Sequence, residues 1–159
     1  MPAGRTYTPI ARTVLGSNSA DVTLSSISGS YTDLVIVISG TANTTTAFDV
    51  RFNGDSGSNY SATRITGNVS TATSIRSSNA TNMPLGNITT SQSVSIINIM
   101  NYSNTTTNKT IIARGNSADT LTNAIVGLWR NTSAITSINF TGGTFQAGTT
   151  FTIYGILAA

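Results

Sequence analysis

Apolar and polar residues alternate with a period of two in short stretches along this chain, and turn-forming residues separate one stretch from the next. A period of two puts every second side chain on the same face of a pleated strand, so the pattern calls for antiparallel strands with one face against a core. Ten segments carry it: 7–15, 21–27, 33–39, 47–52, 61–65, 93–102, 109–114, 124–129, 135–140 and 150–156. Helical periodicity is absent. Thr, Ser and Asn are abundant and glutamate does not occur, so good helix formers are scarce. The expected fold is all-β: eight to ten antiparallel strands in two packed sheets, a jelly-roll-like β-sandwich. With 159 residues and no internal repeat or linker, the chain reads as one domain over 1–159 with a short extended N-terminal arm at about 1–6.

Three segments allow a finer reading. Segment 33–39 is apolar at both parities, which predicts a central strand covered on both faces. In 47–52, Phe48, Val50 and Phe52 share the inward parity while Asp49 and Arg51 face water or a partner. Segment 93–102 begins in clean alternation and breaks parity at Ile96-Ile97, which predicts a bulge or a second covered face. Between strands, 52–60 holds Asn53-Gly54 and Gly57, where positive φ is cheap, and reads as a loop. Segment 102–109 is a hairpin connection. The polar stretch 66–86 is the longest expected excursion from the sandwich and the natural place for a specificity loop.

The residues that are missing restrict the chemistry. Without Cys or His there are no thiolate nucleophiles, no disulfides, no His-based triads and no ordinary zinc ligands. The five acids, Asp21, Asp33, Asp49, Asp55 and Asp119, single out no pair for glycoside hydrolysis, so no enzyme, metal or cofactor is expected. Asn53, Asp55, Ser58 and Asn59 offer oxygens that a calcium ion could use, but an Asx-rich turn accounts for the same residues and one carboxylate is little charge. Net charge is +3, yet the seven arginines are never closer than seven residues apart and no aromatic platform accompanies them, so nucleic acid is not an expected partner. The longest apolar run, 34–38, is far short of a membrane span, and the first residues lack the apolar stretch of a signal peptide. Asn-x-Ser/Thr triplets such as Asn43-Thr44-Thr45 arise by chance in so Asn-rich a chain. Phe48, Phe52, Trp129, Phe140, Phe145 and Phe151 share parity with apolar neighbours and read as core rather than as a sugar-stacking shelf. Tyr60, Tyr102 and Tyr154 are amphipathic and suit an interface between subunits.

Several blocks together resemble a family of small virion proteins of tailed bacteriophages, common among phages of cyanobacteria and other aquatic bacteria. They are Thr6-Tyr7-Thr8-Pro9-Ile10-Ala11, Tyr31-Thr32-Asp33-Leu34-Val35, Phe52-Asn53-Gly54-Asp55 with Ser58-Asn59-Tyr60-Ser61, Asn101-Tyr102-Ser103-Asn104, Gly127-Leu128-Trp129-Arg130 and the stretch from Gly148 to Ile156. The resemblance covers nearly the whole chain as a pattern of strands and turns. It implies a capsid decoration (cement) protein that is made in the host cytoplasm, ends on the capsid surface and binds the major capsid protein. The alternative it implies is a subunit of a tail fibre or head appendage that binds a host glycan or protein. By analogy with decoration proteins on threefold positions, the expected self-assembly is a homotrimer. The contact residues expected on this basis are Arg5, Tyr7, Tyr60, Tyr102, Arg130 and Tyr154. The arm carries no apolar pattern of its own and is expected either to lie against a neighbour, with Arg5 paired to an acidic group, or to fray.

Overall fold

A computed structural model describes residues 6–117 and 120–157, so the expectation for Arg5 and most of the arm falls outside the described residues. Twelve strands form among them, and no helix. In chain order these are β1 (Thr8–Val14), β2 (Val22–Leu24), β3 (Asp33–Gly40), β4 (Thr46–Phe52), β5 (Tyr60–Asn68) and β6 (Ala72–Ala80). There follow β7 (Met83–Ile88), β8 (Ser93–Met100), β9 (Lys109–Ser117), β10 (Leu121–Trp129), β11 (Ile138–Thr141) and β12 (Thr150–Ile156). They assemble into an eight-stranded sheet, β1-β12-β3-β8-β9-β10-β5-β6, and a four-stranded sheet, β2-β11-β4-β7. Every pairing is antiparallel.

Setting aside the hairpins β5–β6 and β9–β10 leaves two four-stranded sheets, β1-β12-β3-β8 and β2-β11-β4-β7. The chain then crosses between sheets at every connection except β4 to β7, which is the jelly-roll path. The two hairpins add four strands to one sheet only. The all-β sandwich expected from the alternation is therefore present, with twelve strands in place of eight to ten. The additional two are β6 and β7, which occupy the stretch expected to be a long polar loop. β6 is exposed almost throughout because it lies past the rim of the smaller sheet, whereas β7 buries Met83, Leu85 and Ile88 against β5, β9 and β10.

The core follows the expected parities. Phe48, Val50 and Phe52 are buried, with Asp49 and Arg51 half-exposed on the other face. All six aromatic residues expected in the core are buried there. Phe52, Tyr60 and Trp129 form one cluster with ring centroids 5.4–6.4 Å apart, while Phe48, Phe145, Phe151 and Phe140 form a chain at 5.3–5.9 Å. Burying each large side chain stabilises the sandwich by roughly 1.5–3 kcal/mol. On β3, Leu34, Ile36 and Ile38 fill the core, and the outward Val35 is buried as well. β8 carries no bulge: it pairs without a register break with β3 and β9, and the Ile96-Ile97 doublet places Ile97 inside and Ile96 on the outer face. At Gly127 the Met83 side chain lies where a Cβ would be, and at Gly155 the Tyr31 ring does, so both strands depend on glycine for close approach.

Candidate functional site

Of the contact residues expected from the sequence, the five that are described, Tyr7, Tyr60, Tyr102, Arg130 and Tyr154, do not come together on one surface. Tyr7 and Tyr154 meet edge to face at 6.2 Å on the outer side of β1 and β12, with Tyr7 exposed. Tyr60 and Tyr102, expected at a contact surface, are instead buried completely. Each hydroxyl is absorbed by backbone groups. The Phe52 N–H donates to Tyr60 Oη at 3.0 Å and Tyr60 donates to the Asp55 carbonyl at 3.1 Å, while Tyr102 donates to the Ser28 carbonyl. Burial raises the pKa of both phenols, that of Tyr60 to about 12. Arg130 is also committed inside the protein. It donates to Ser61 Oγ at 2.5 Å, the Ser58 carbonyl at 2.7 Å and Asn79 Oδ1 at 2.9 Å, fastening the 53–59 loop to β5 and the end of β6.

The oxygen-rich loop 53–59 is organised around Asp55 rather than around a cation. Its carboxylate accepts from Trp129 Nε1 at 2.7 Å, the Gly57 N–H at 2.8 Å and Asn59 Nδ2 at 2.9 Å. Burial alone would raise the Asp55 pKa, but the hydrogen bonds from Trp129, Asn59, Gly57 and Asn131 outweigh it and hold the group below its ordinary value. Asn53 Oδ1 accepts from the Thr136 and Ser137 N–H groups at 2.8 and 3.1 Å, and so is an Asx clamp on the segment before β11.

The other described aspartates have internal partners too. Asp33 accepts from the Asn101 N–H at 2.7 Å, Asp21 from Asn139 Nδ2, and Asp49 from Asn82 Nδ2 at 3.1 Å. Burial pushes the Asp49 carboxyl up, and the guanidinium groups of Arg64 and Arg51 offset part of that shift. Lys109 is buried with its ammonium donating to the Thr107 and Thr132 carbonyls at 2.7 and 3.0 Å, and burial lowers its pKa. Among the described residues no group of three or more acidic side chains could hold a metal ion.

The surface that stands out is the outer face of the eight-stranded sheet. An antiparallel sheet normally presents a polar face to water. Here the strand register brings Val37, Ile96, Arg114, Ala124 and Ile65 into one row across β3, β8, β9, β10 and β5. The next row is Val35, Asn98, Ile112, Val126 and Thr63. Ile65, Ile112 and Val126 are exposed to 54, 42 and 58%. Two shallow hollows interrupt the face. One, of about 320 Å³, lies between Val94, Ile96, Arg114 and Thr122; the other, of about 430 Å³, lies between Thr63, Arg76, Val126 and Leu128. Arg12, paired with the outward Thr152, joins Arg76 and Arg114 on this side. The sheet thus gathers three arginines that are far apart in sequence, but spreads them across its full width. The doublets Ile111-Ile112 and Ile125-Val126, apolar at both parities, are the sequence signal of this face that the alternation pattern passes over.

A third hollow, of about 400 Å³, sits at the end of the smaller sheet. Asp21, Asn43, Thr44, Thr46 and Thr144 supply its polar groups, and Gly142 and Gly143 its backbone.

No protein-family model matches the chain, and no curated protein matches it. Among solved structures it is similar to an exo-inulinase from Aspergillus awamori, with 14% identity and a TM-score of 0.45. That similarity covers 94% of this chain and 29% of the inulinase chain, so the chain spans less than a third of that protein's length.

Proposed function

We propose that this chain is a structural protein of a tailed-phage virion, a capsid decoration protein that binds the major capsid protein lattice through surfaces rather than through a catalytic site. The observation that supports the reading most is the broad outer face, where Ile65, Val126 and Ile112 lie exposed on the three adjacent strands β5, β10 and β9 beside the half-buried Ile96 and Val37. A face of that kind suits permanent contacts, because neutral apolar packing is little affected by salt. The jelly-roll path and the resemblance of the strand and turn blocks to small virion proteins support it as well. The described aspartates each serve as internal acceptors, which favours a non-catalytic role.

The hollow lined by Asp21, Asn43, Thr44 and Thr144 favours a second reading, an appendage or tail-fibre subunit that holds a host glycan, since hydroxyls and amides of this kind match sugar hydroxyls. Quantitative mass spectrometry of purified particles separates the two. Decoration requires hundreds of copies per particle, in a fixed ratio to the major capsid protein, whereas an appendage requires a few to a few tens. Absence of the chain from purified particles would overturn both.

A further inference from the structure

We propose that the outer face of the eight-stranded sheet is the docking surface for a second copy of this chain, stacked face to face about a twofold axis that runs along the strands between β9 and β10. The inference stands on the geometry of the face and does not require the capsid reading. About this axis the six strands from β3 to β6 in the sheet order overlap, and β12 and β1 lie beyond the contact. At about 4.8 Å between strands and about 3.3 Å per residue those six present on the order of 800 Å². A stable complex takes about 800 Å² from each partner, so this one face suffices.

The register makes the face complementary to itself. A twofold axis between β9 and β10 sets β9 against β10 of the second copy and β8 against β5. Ile112 then meets Val126, Ile96 meets Ile65, and Asn98 meets Thr63, placing aliphatic on aliphatic and amide on hydroxyl. The charge nearest the axis, Arg114, meets Ala124, a small neutral residue with room above it, so no arginine is driven against another. The aliphatic rows argue against a nucleic acid. Two like-handed twisted sheets stack in this way with their strands about 30° apart. The contact is isologous and closes at two copies, in place of the trimer implied by the family resemblance.

The test is sedimentation equilibrium of the full chain at micromolar concentration, where a dimer is expected. Val126→Asp or Ile112→Asp should weaken association at least about 30-fold, as the loss of an anchor at the centre of an interface does. Val69→Asp, at a 96%-exposed valine between β5 and β6, should leave the dimer intact. Far-UV circular dichroism and melting must show the variants folded. If they are not, a spin label at Ser74→Cys, in a chain without other cysteines, keeps the proposal open to disproof. The stacked dimer puts the two Ser74 Cα atoms about 26 Å apart, from five strand spacings and one sheet gap. Edge-to-edge pairing through β6 would bring them within about 15 Å. A monomer at 100 µM overturns the proposal, as do a trimer, a dimer that survives Val126→Asp in folded protein, and a label distance under about 15 Å.

Discussion

Asp55 joins three parts of the chain through one carboxylate: its own loop at Gly57, Asn59 at the start of β5, and Trp129 at the end of β10. Asp55→Ala should cost about 2–3 kcal/mol, because it leaves the buried indole N–H without an acceptor. The folded-state pKa lies below the open-chain 3.8, so the contribution of the carboxylate is complete above that value and is lost as pH falls through the lower folded one. Acid unfolding followed by the fluorescence of the single tryptophan should therefore be less steep below pH 4 in Asp55→Ala than in the parent; equal slopes would refute this. Tyr60 acts at the other end of the scale. Its folded pKa is near 12 against 10 in the open chain, so its contribution is full below pH 10 and is lost as pH rises toward 12. In Tyr60→Phe the alkaline decline should be shallower, with the part due to Tyr102 remaining, and neutral stability should fall by about 1–3 kcal/mol as the Phe52 N–H loses its acceptor. Urea unfolding from pH 8 to 12 checks both effects. These two tyrosines also mark where residue-level reading stops. Phe48 and Phe151 are legible as core because parity alone buries them, but a tyrosine beside an Asn-rich turn looks amphipathic in sequence. Only the folded loops supply the carbonyls that take Tyr60 and Tyr102 inside.

At the scale of elements, β6 and β7 are illegible in the sequence for two different physical reasons. β6 lies past the rim of the smaller sheet, so neither of its faces has to be apolar and the alternation that announces a strand is missing. β7 does alternate, with Met83 and Leu85 buried, but a register break opposite Phe48 and Asp49 shifts the next buried aliphatic to Ile88. Gly86, at φ 107°, makes that break, and Pro84 is tolerated because β7 is an edge strand that need not donate there. Strands β3, β4 and β12 are legible because successive core-facing positions of each are apolar, and β8 is legible from Ile97 and Ile99, its first two core-facing residues being serines. The dependence of β10 on β7 can be measured at the Gly127–Met83 contact. Gly127→Val should destabilise by about 2 kcal/mol, since the added atoms meet the Met83 sulfur, and Met83→Ala in the same chain should recover part of that loss. Additive effects in a double-mutant cycle would show that the two residues do not press on each other.

The whole molecule carries few charges, and the hydrogen bonds of Arg130 and Lys109 go to uncharged oxygens. Its melting temperature should accordingly change by less than about 3 °C between 0.05 and 1 M NaCl. A larger drop by calorimetry would mean that long-range charge attraction holds the sandwich together. The jelly-roll path has a further effect, on the time at which the fold can close. β3 pairs with β8 on one side and with β12 on the other, and about 110 residues of chain separate its last residue, Gly40, from the first of β12, Thr150. At 5–20 residues per second a ribosome takes roughly 5–20 s to make that stretch. For all of that interval the most apolar strand of the protein has at least one open edge, and two until β8 has been made, and in a crowded polysome its nearest candidates for pairing are the same strands of neighbouring nascent chains. Synthesis rate and chaperone supply, rather than the stability of the finished sandwich, would then set the yield of folded protein per message.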